Sequence, residues 1–171
     1  MVQLGENRGA CKISGGLTAD TMNKLEFLKR MDQIDPDGPN AIDELAPVLE
    51  EYCLDSGDNL NDPETAANYY ADVKADLEAF MDRYDTLLEK LHGELRRAGA
   101  TEAQVNWGLF GNVELGRLAW LRCNRLAKSL ANLSYEIKYC LAELKMLSKY
   151  TAQVDLKEIG RIQREYRNRY G

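Results

Sequence analysis

Apolar residues return every three or four positions along two long stretches of the chain. The first reads Ala66, Tyr70, Val73, Leu77, Phe80, Tyr84, Leu87 and Leu91; the second reads Ala119, Cys123, Leu126, Leu130, Leu133, Ile137, Cys140, Leu144 and Leu147. Alternating steps of three and four set one residue per helical turn on a single seam, the pattern through which helices pack knobs into holes. The seams predict helices over 62–98 and 112–152, the first about 54 Å long. A compact domain of this size is only about 40 Å across. Helices of that length therefore predict an elongated molecule.

Polar residues mark where these helices start and stop. Asp62-Pro63-Glu64 supplies a cap, a residue suited to the first helical position and an early acid. Gly99 suits the left-handed position just past a helix end. Thr101 to Gln104 matches a capping box, whereas Gly108, Gly111 and Gly116 disfavour a continuous helix after it, so a short helix or loop is expected before the second long helix. All four prolines fall within the first 63 residues. Two short helices fit 18–55: one from about 18 to 33 with Leu25, Leu28 and Ile34 inward, the other capped by Asn40 with Ile42, Leu45, Val48, Leu49 and Tyr52 inward. Pro47 kinks the latter or marks its true start, and residues 35–39 form the turn between them. Residues 1–17 read as a flexible glycine-rich arm. Residues 155–170 read as a short basic amphipathic helix, with Leu156, Ile159, Ile162 and Tyr166 on one side and Lys157, Arg161, Arg164 and Arg167 on another.

The fold class these elements imply is all-α, a single domain over 1–171. It is expected to be an elongated helical bundle built on a long antiparallel coiled-coil-like hairpin, with two shorter helices packed on it. A register pairing Tyr84 with Leu133 keeps like charges apart by setting Arg83 beside Glu136.

Charge divides the chain. Residues 1–100 carry 10 Lys/Arg against 21 Asp/Glu, a net of −11, and residues 101–171 carry 12 against 7, a net of +5, which together give the overall −6. On the first long helix Asp72, Glu78, Asp82, Asp85 and Glu89 fall outside the seam and form a candidate acidic face for a protein partner. On the second, Arg125, Lys128 and Lys138 lie outside the seam with Tyr135 and Tyr139 among them. Cations with interleaved aromatics can hold phosphates and stack bases, so these residues, with Arg161, Arg164, Arg167 and Arg169, are candidate nucleic-acid contacts. The competing expectation packs Tyr135 and Tyr139 as a second apolar stripe beneath the two short helices.

Catalytic and metal motifs are incomplete. Glu89-x-x-His92 has the spacing of a di-iron bundle motif, which needs a second such pair, and His92 is the one histidine in the chain. Residues 33–44 resemble an EF-hand loop only loosely, since Gln33 stands where the first acid belongs and two prolines interrupt it. The expectation is no cofactor and no metal, and no histidine activates a nucleophile. No stretch is apolar enough to suggest a membrane span. Cys123 and Cys140 are about 25 Å apart on one helix, so buried free thiols and a cytoplasmic setting are expected.

The function expected from these features is a non-catalytic protein-interaction module that binds through charged outer faces, with homo-oligomerisation through exposed seam a further expectation. The alternatives are a nucleic-acid-binding protein using the basic face of 112–170, or an acidic mimic of nucleic acid that inhibits a nucleic-acid-binding protein or defence complex. An acidic pI near 5.0 speaks against the first alternative.

Overall fold

The computed structural model describes residues 24–36, 38–57, 59–107 and 114–166. The glycine-rich arm, the expected first helical turn at 18–23, and Arg167 and Arg169 lie outside the described residues. Among those described, the chain is helical throughout its regular structure: α1 (Lys24–Asp32), α2 (Ala41–Asp55), α3 (Pro63–Arg97), α4 (Glu102–Trp107), α5 (Arg117–Leu147) and α6 (Leu156–Glu165).

Local chemistry sets the helix ends. Asp62 accepts the backbone N–H of Thr65 at 3.1 Å and its hydroxyl at 2.7 Å, with Pro63 next in sequence. At the other end Gly99 adopts φ +88°, and the N–H groups of Gly99 and Ala100 donate to Arg96 and Leu95 carbonyls, each at 3.0 Å. That pair of bonds is a Schellman closure and requires the left-handed residue that glycine supplies. The Thr101–Gln104 capping box forms in both directions and starts α4. Asn40 occupies the N-cap position of α2 but makes no side-chain cap bond, and Pro47 lies inside that helix, exposed, rather than at its start.

The second long helix is shorter than its periodicity suggests. It begins at Arg117, after Gly116 in extended conformation, and ends at Leu147 rather than 152. Residue 112 lies outside the described residues, and 114–116 are not helical.

Helices α3 and α5 pack along one another in opposite directions, since Tyr69 meets Glu143 while Glu94 meets Arg122. Both seams enter the core. Val73, Leu77, Tyr84 and Leu91 are buried on α3, as are Cys123, Leu130, Leu133, Ile137, Cys140, Leu144 and Leu147 on α5. One detail of the seam differs: Tyr69 is fully buried and its neighbour Tyr70 only half-buried. Helix α2 then covers the second half of α5 from outside, Phe27 of α1 stacks on Tyr52 of α2 at 4.2 Å, and α6 lies beside Tyr84 through Tyr166.

Among the described residues the core admits one acid. Glu143 is 1% exposed and accepts the Tyr69 hydroxyl proton at 2.7 Å. A buried carboxyl is expensive unless hydrogen-bonded, so the bond fixes α3 against α5 at that level. The cysteines do not all share one state. Cys123 and Cys140 are buried free thiols, as expected, whereas Cys53, for which the spacing gave no expectation, is disulfide-bonded.

Replacing Tyr69 with Phe takes a donor away from Glu143 and should lower unfolding stability by about 2 kcal/mol. A Tyr69→Phe, Glu143→Leu double variant should recover most of that loss, because an apolar pair removes the buried acid. Urea denaturation of the two variants tests this; equal losses in both would refute it.

Candidate protein-binding surface

An outer row runs the length of α5, off the seam: Leu118, Leu121, Arg125, Lys128, Asn132, Tyr135, Tyr139, Ala142 and Met146, spaced three and four apart. Its second half is interior. Tyr139, Ala142 and Met146 are 7%, 0% and 1% exposed and Tyr135 is half-buried, on the half of α5 that α2 packs against. Packing beneath the short helices therefore accounts for both tyrosines. Eleven of the thirteen buried residues of α5 fall between 133 and 147. Among the described helices the first half has chiefly α3 for cover.

Polar bonds hold α2 in that place. Lys145 pairs with Asp43, and Lys138 donates to the Pro36 carbonyl at 2.6 Å in the turn before α2. Glu50 accepts Lys149 at 2.8 Å and the Tyr150 hydroxyl at 2.6 Å. Burial pushes the Glu50 carboxyl up, but those two donors outweigh it and hold it below the usual carboxylate range. The same bond, with burial and the negative charge of Glu50, pushes the Tyr150 phenol up to about 12.

On the first half of α5 the outer row meets water. Leu118 is 70% exposed and Leu121 46%, with Trp120 beside them at 47%. Residues 117–132 hold Arg117, Arg122, Arg125 and Lys128 and no acid. Arg117, Arg125 and Lys128 make no ion pair among the described residues, whereas Arg122 joins Arg97 on Glu94. Burial pushes Glu94 up, and those guanidinium groups more than reverse it. A shallow groove of about 350 Å³ runs along the row from Leu121 to Asn132, and a second of about 500 Å³ lies between α3 and α5 beside Glu94 and Arg125. Large apolar side chains thus stand exposed beside cations on this half of α5.

The sequence-derived candidates distribute differently from their expected faces. Arg125 and Lys128 are exposed on this surface. Lys138 is committed to Pro36, and Tyr139 is interior, so the aromatics do not stand free among the cations. Arg161 is held on α6 by Glu158 and Glu165, Arg164 is exposed on the same helix, and Arg167 and Arg169 lie outside the described residues. The acids Asp72, Glu78, Asp82, Asp85 and Glu89 are all exposed on α3. Asp85 is not free, since both its oxygens accept the Tyr166 hydroxyl at 3.1 and 3.2 Å. Glu78 stands beside α6, and Glu89 lines the larger groove.

Leu118, Trp120 and Leu121 are the residues that seam reasoning passes over. Their signal is simple: three large apolar side chains at outward positions of a helix whose inward positions are already filled. Among the described residues no cluster of three His, Cys, Asp or Glu could hold a metal, and no helix is long and apolar enough to cross a membrane. Burial, then the charge of Glu94, pushes the Cys123 thiol up, away from the reactive thiolate. Comparison with protein-family models, curated proteins and solved structures gives no match.

The Tyr150 bond gives the α2–α5 contact an alkaline limit. The phenol's pKa rises from 10 to about 12 in the fold, so its contribution is complete below pH 10 and lost as pH climbs through about 12. A Tyr150→Phe variant should be less stable by about 1 kcal/mol at pH 8 and should converge with the parent near pH 12. Thermal melts of both across that range decide it; a constant gap would contradict the assignment.

Proposed function

We infer that this chain is a non-catalytic helical protein-binding module whose contact surface is the uncovered first half of α5. In this reading α3 and α5 act as a coiled-coil-like antiparallel hairpin, a stiff arm whose one end is wrapped by the short helices and whose other end is offered to a partner. The Arg122–Glu94 contact lies one residue from the register that pairs Tyr84 with Leu133 and the Tyr69–Glu143 bond five residues from it, so the antiparallel direction supports the reading and that register does not. The observation that carries the reading is the exposure of Leu118, Trp120 and Leu121 among Arg117, Arg125 and Lys128. Tryptophan and arginine are the side chains that most often anchor a protein interface, because each combines a large contact area with a polar handle. Cations around them raise the rate at which an oppositely charged partner arrives. The acidic face of α3 supports a subsidiary role, as a contact for a basic region of the same partner.

Affinity capture of the tagged chain from nuclease-treated native lysate, quantified by mass spectrometry, tests the reading. A specific protein should be retained, and Trp120→Ala should reduce its recovery at an anchor's typical cost of about 2 kcal/mol, near thirtyfold in affinity. Circular dichroism should show helicity unchanged, since Trp120 is 47% exposed and lies outside the buried core. Recovery that ignores Trp120, or that vanishes on nuclease treatment, would overturn the reading.

A further inference from the structure

The covered half of α5 shows what its outer row accepts. Helix α2 has five acids, Asp43, Glu44, Glu50, Glu51 and Asp55, and no Lys or Arg. Its inward side is apolar, with Leu45 and Leu49 each 1% exposed. It lies on Tyr139, Ala142 and Met146 and is gripped at its margins by Lys145 and Lys149. An acidic amphipathic helix on an apolar row edged with cations is thus an arrangement this fold already uses once.

The same row continues toward the start of α5 with less apolar and more cationic surface and, among the described residues, no helix laid over it. Leu118 and Leu121 are the apolar members of this stretch, Arg125 and Lys128 are exposed cations within the row, and Arg117 stands beside it. From Leu118 to Asn132 the open stretch is about 21 Å long, room for a helix of four turns. The geometry points to a second acidic amphipathic helix, contributed by a partner protein, docking on this half of α5 as α2 docks on the other. Its recognition chemistry is an apolar stripe at three- and four-residue spacing, flanked by Asp and Glu and free of Lys and Arg. The chain's own first 23 residues do not have that chemistry. They carry Glu6 and Asp20 against Arg8 and Lys12, with four glycines. A helix in an apolar groove is a common mode of recognition; here the charge pattern and the internal precedent specify which kind.

The inference rests on the reading of this face as a protein interface, and its test separates the two. The probe is a fluorescent synthetic peptide of residues 40–56 carrying Pro47→Ala and Cys53→Ser, titrated into the full chain and followed by anisotropy. A control peptide keeps the apolar residues and has Lys in place of all five acids. Saturable binding of the acidic peptide is expected, weakened at least tenfold by Leu121→Glu or by Arg125→Glu and left unchanged by Lys145→Glu, which contacts the chain's own α2. Sensitivity to Lys145 alone would mean that the peptide merely exchanges with α2, and would overturn the inference. So would equal binding of the lysine peptide, or indifference to Leu121 and Arg125. Should capture from lysate depend on Trp120 while the acidic peptide fails to bind, the interface stands and the acidic helix is wrong. Should the peptide bind as expected while capture ignores Trp120, the docking chemistry stands and the cellular reading of the face falls.

Discussion

Helix α5 is 31 residues long, and α2, which lies along its outer face, has 15. This mismatch in length governs the molecule. A long helix can bury one stripe against an equally long neighbour, and α3 provides that for α5 over most of its span. A second stripe needs a second neighbour. Where α2 supplies one, the helix is interior on nearly all sides and tolerates large apolar residues on its back. Where it does not, any apolar residue on that back is left against water at about 25 cal/mol per Å². The chain nevertheless places Leu118, Trp120 and Leu121 there.

The buried pair Glu143–Tyr69 belongs to the same constraint. An acid at that position faces outward on a two-helix hairpin and would be ordinary. Once α2 is laid over the hairpin, the position becomes interior, and the carboxyl needs a donor. Tyr69 supplies it from α3, one residue away from the seam aromatic Tyr70. The bond contributes less to net stability than its strength in isolation implies, but it penalises any slippage between α3 and α5, because a shifted register separates the acid from that donor. Asp43–Lys145 and the Glu50 cluster do for α2 what Glu143 does for α3: they select one placement among several that apolar packing alone would accept.

Features determined by neighbours in sequence were legible from the sequence, and features determined by a third helix were not. The Asp62 cap, the Gly99 closure and the Thr101–Gln104 box are each decided within a few residues, so composition suffices to place them. The two seams were legible because a period of three and four survives any context. The identity of the buried tyrosine was not, since Tyr69 and Tyr70 are neighbours on α3 and the choice between them depends on how the helices pack rather than on local sequence. Glu143 could not be recognised as interior for the same reason. Periodicity identified what faces the partner helix, and by default assigned everything else to solvent. That default mistook the cover over Tyr139 for open surface in one reading, and gave no weight to Leu118, Trp120 and Leu121.

The uncovered half of α5 also differs in how firmly it is held. Only Cys123 and Leu130 are fully buried between 117 and 132, and Gly116 begins the helix with no side-chain cap. Few buried residues and an uncapped start mark this half as easier to open locally than the second half of α5. A partner laid along the outer row would supply the cover that α2 supplies elsewhere, so binding and local ordering would be coupled, and part of the contact energy would be consumed in fixing the first turns of α5. Such coupling lowers affinity for a given area while sharpening dependence on the anchors that lie furthest out. Leu118, at 70% exposed and one residue into the helix, is that outermost anchor. The acidic character proposed for the partner has the same origin. With so little apolar area to offer, Arg117, Arg125 and Lys128 would carry recognition as well as steering in the proposed complex, and a helix of the wrong charge would meet three unpaired cations with no compensating burial.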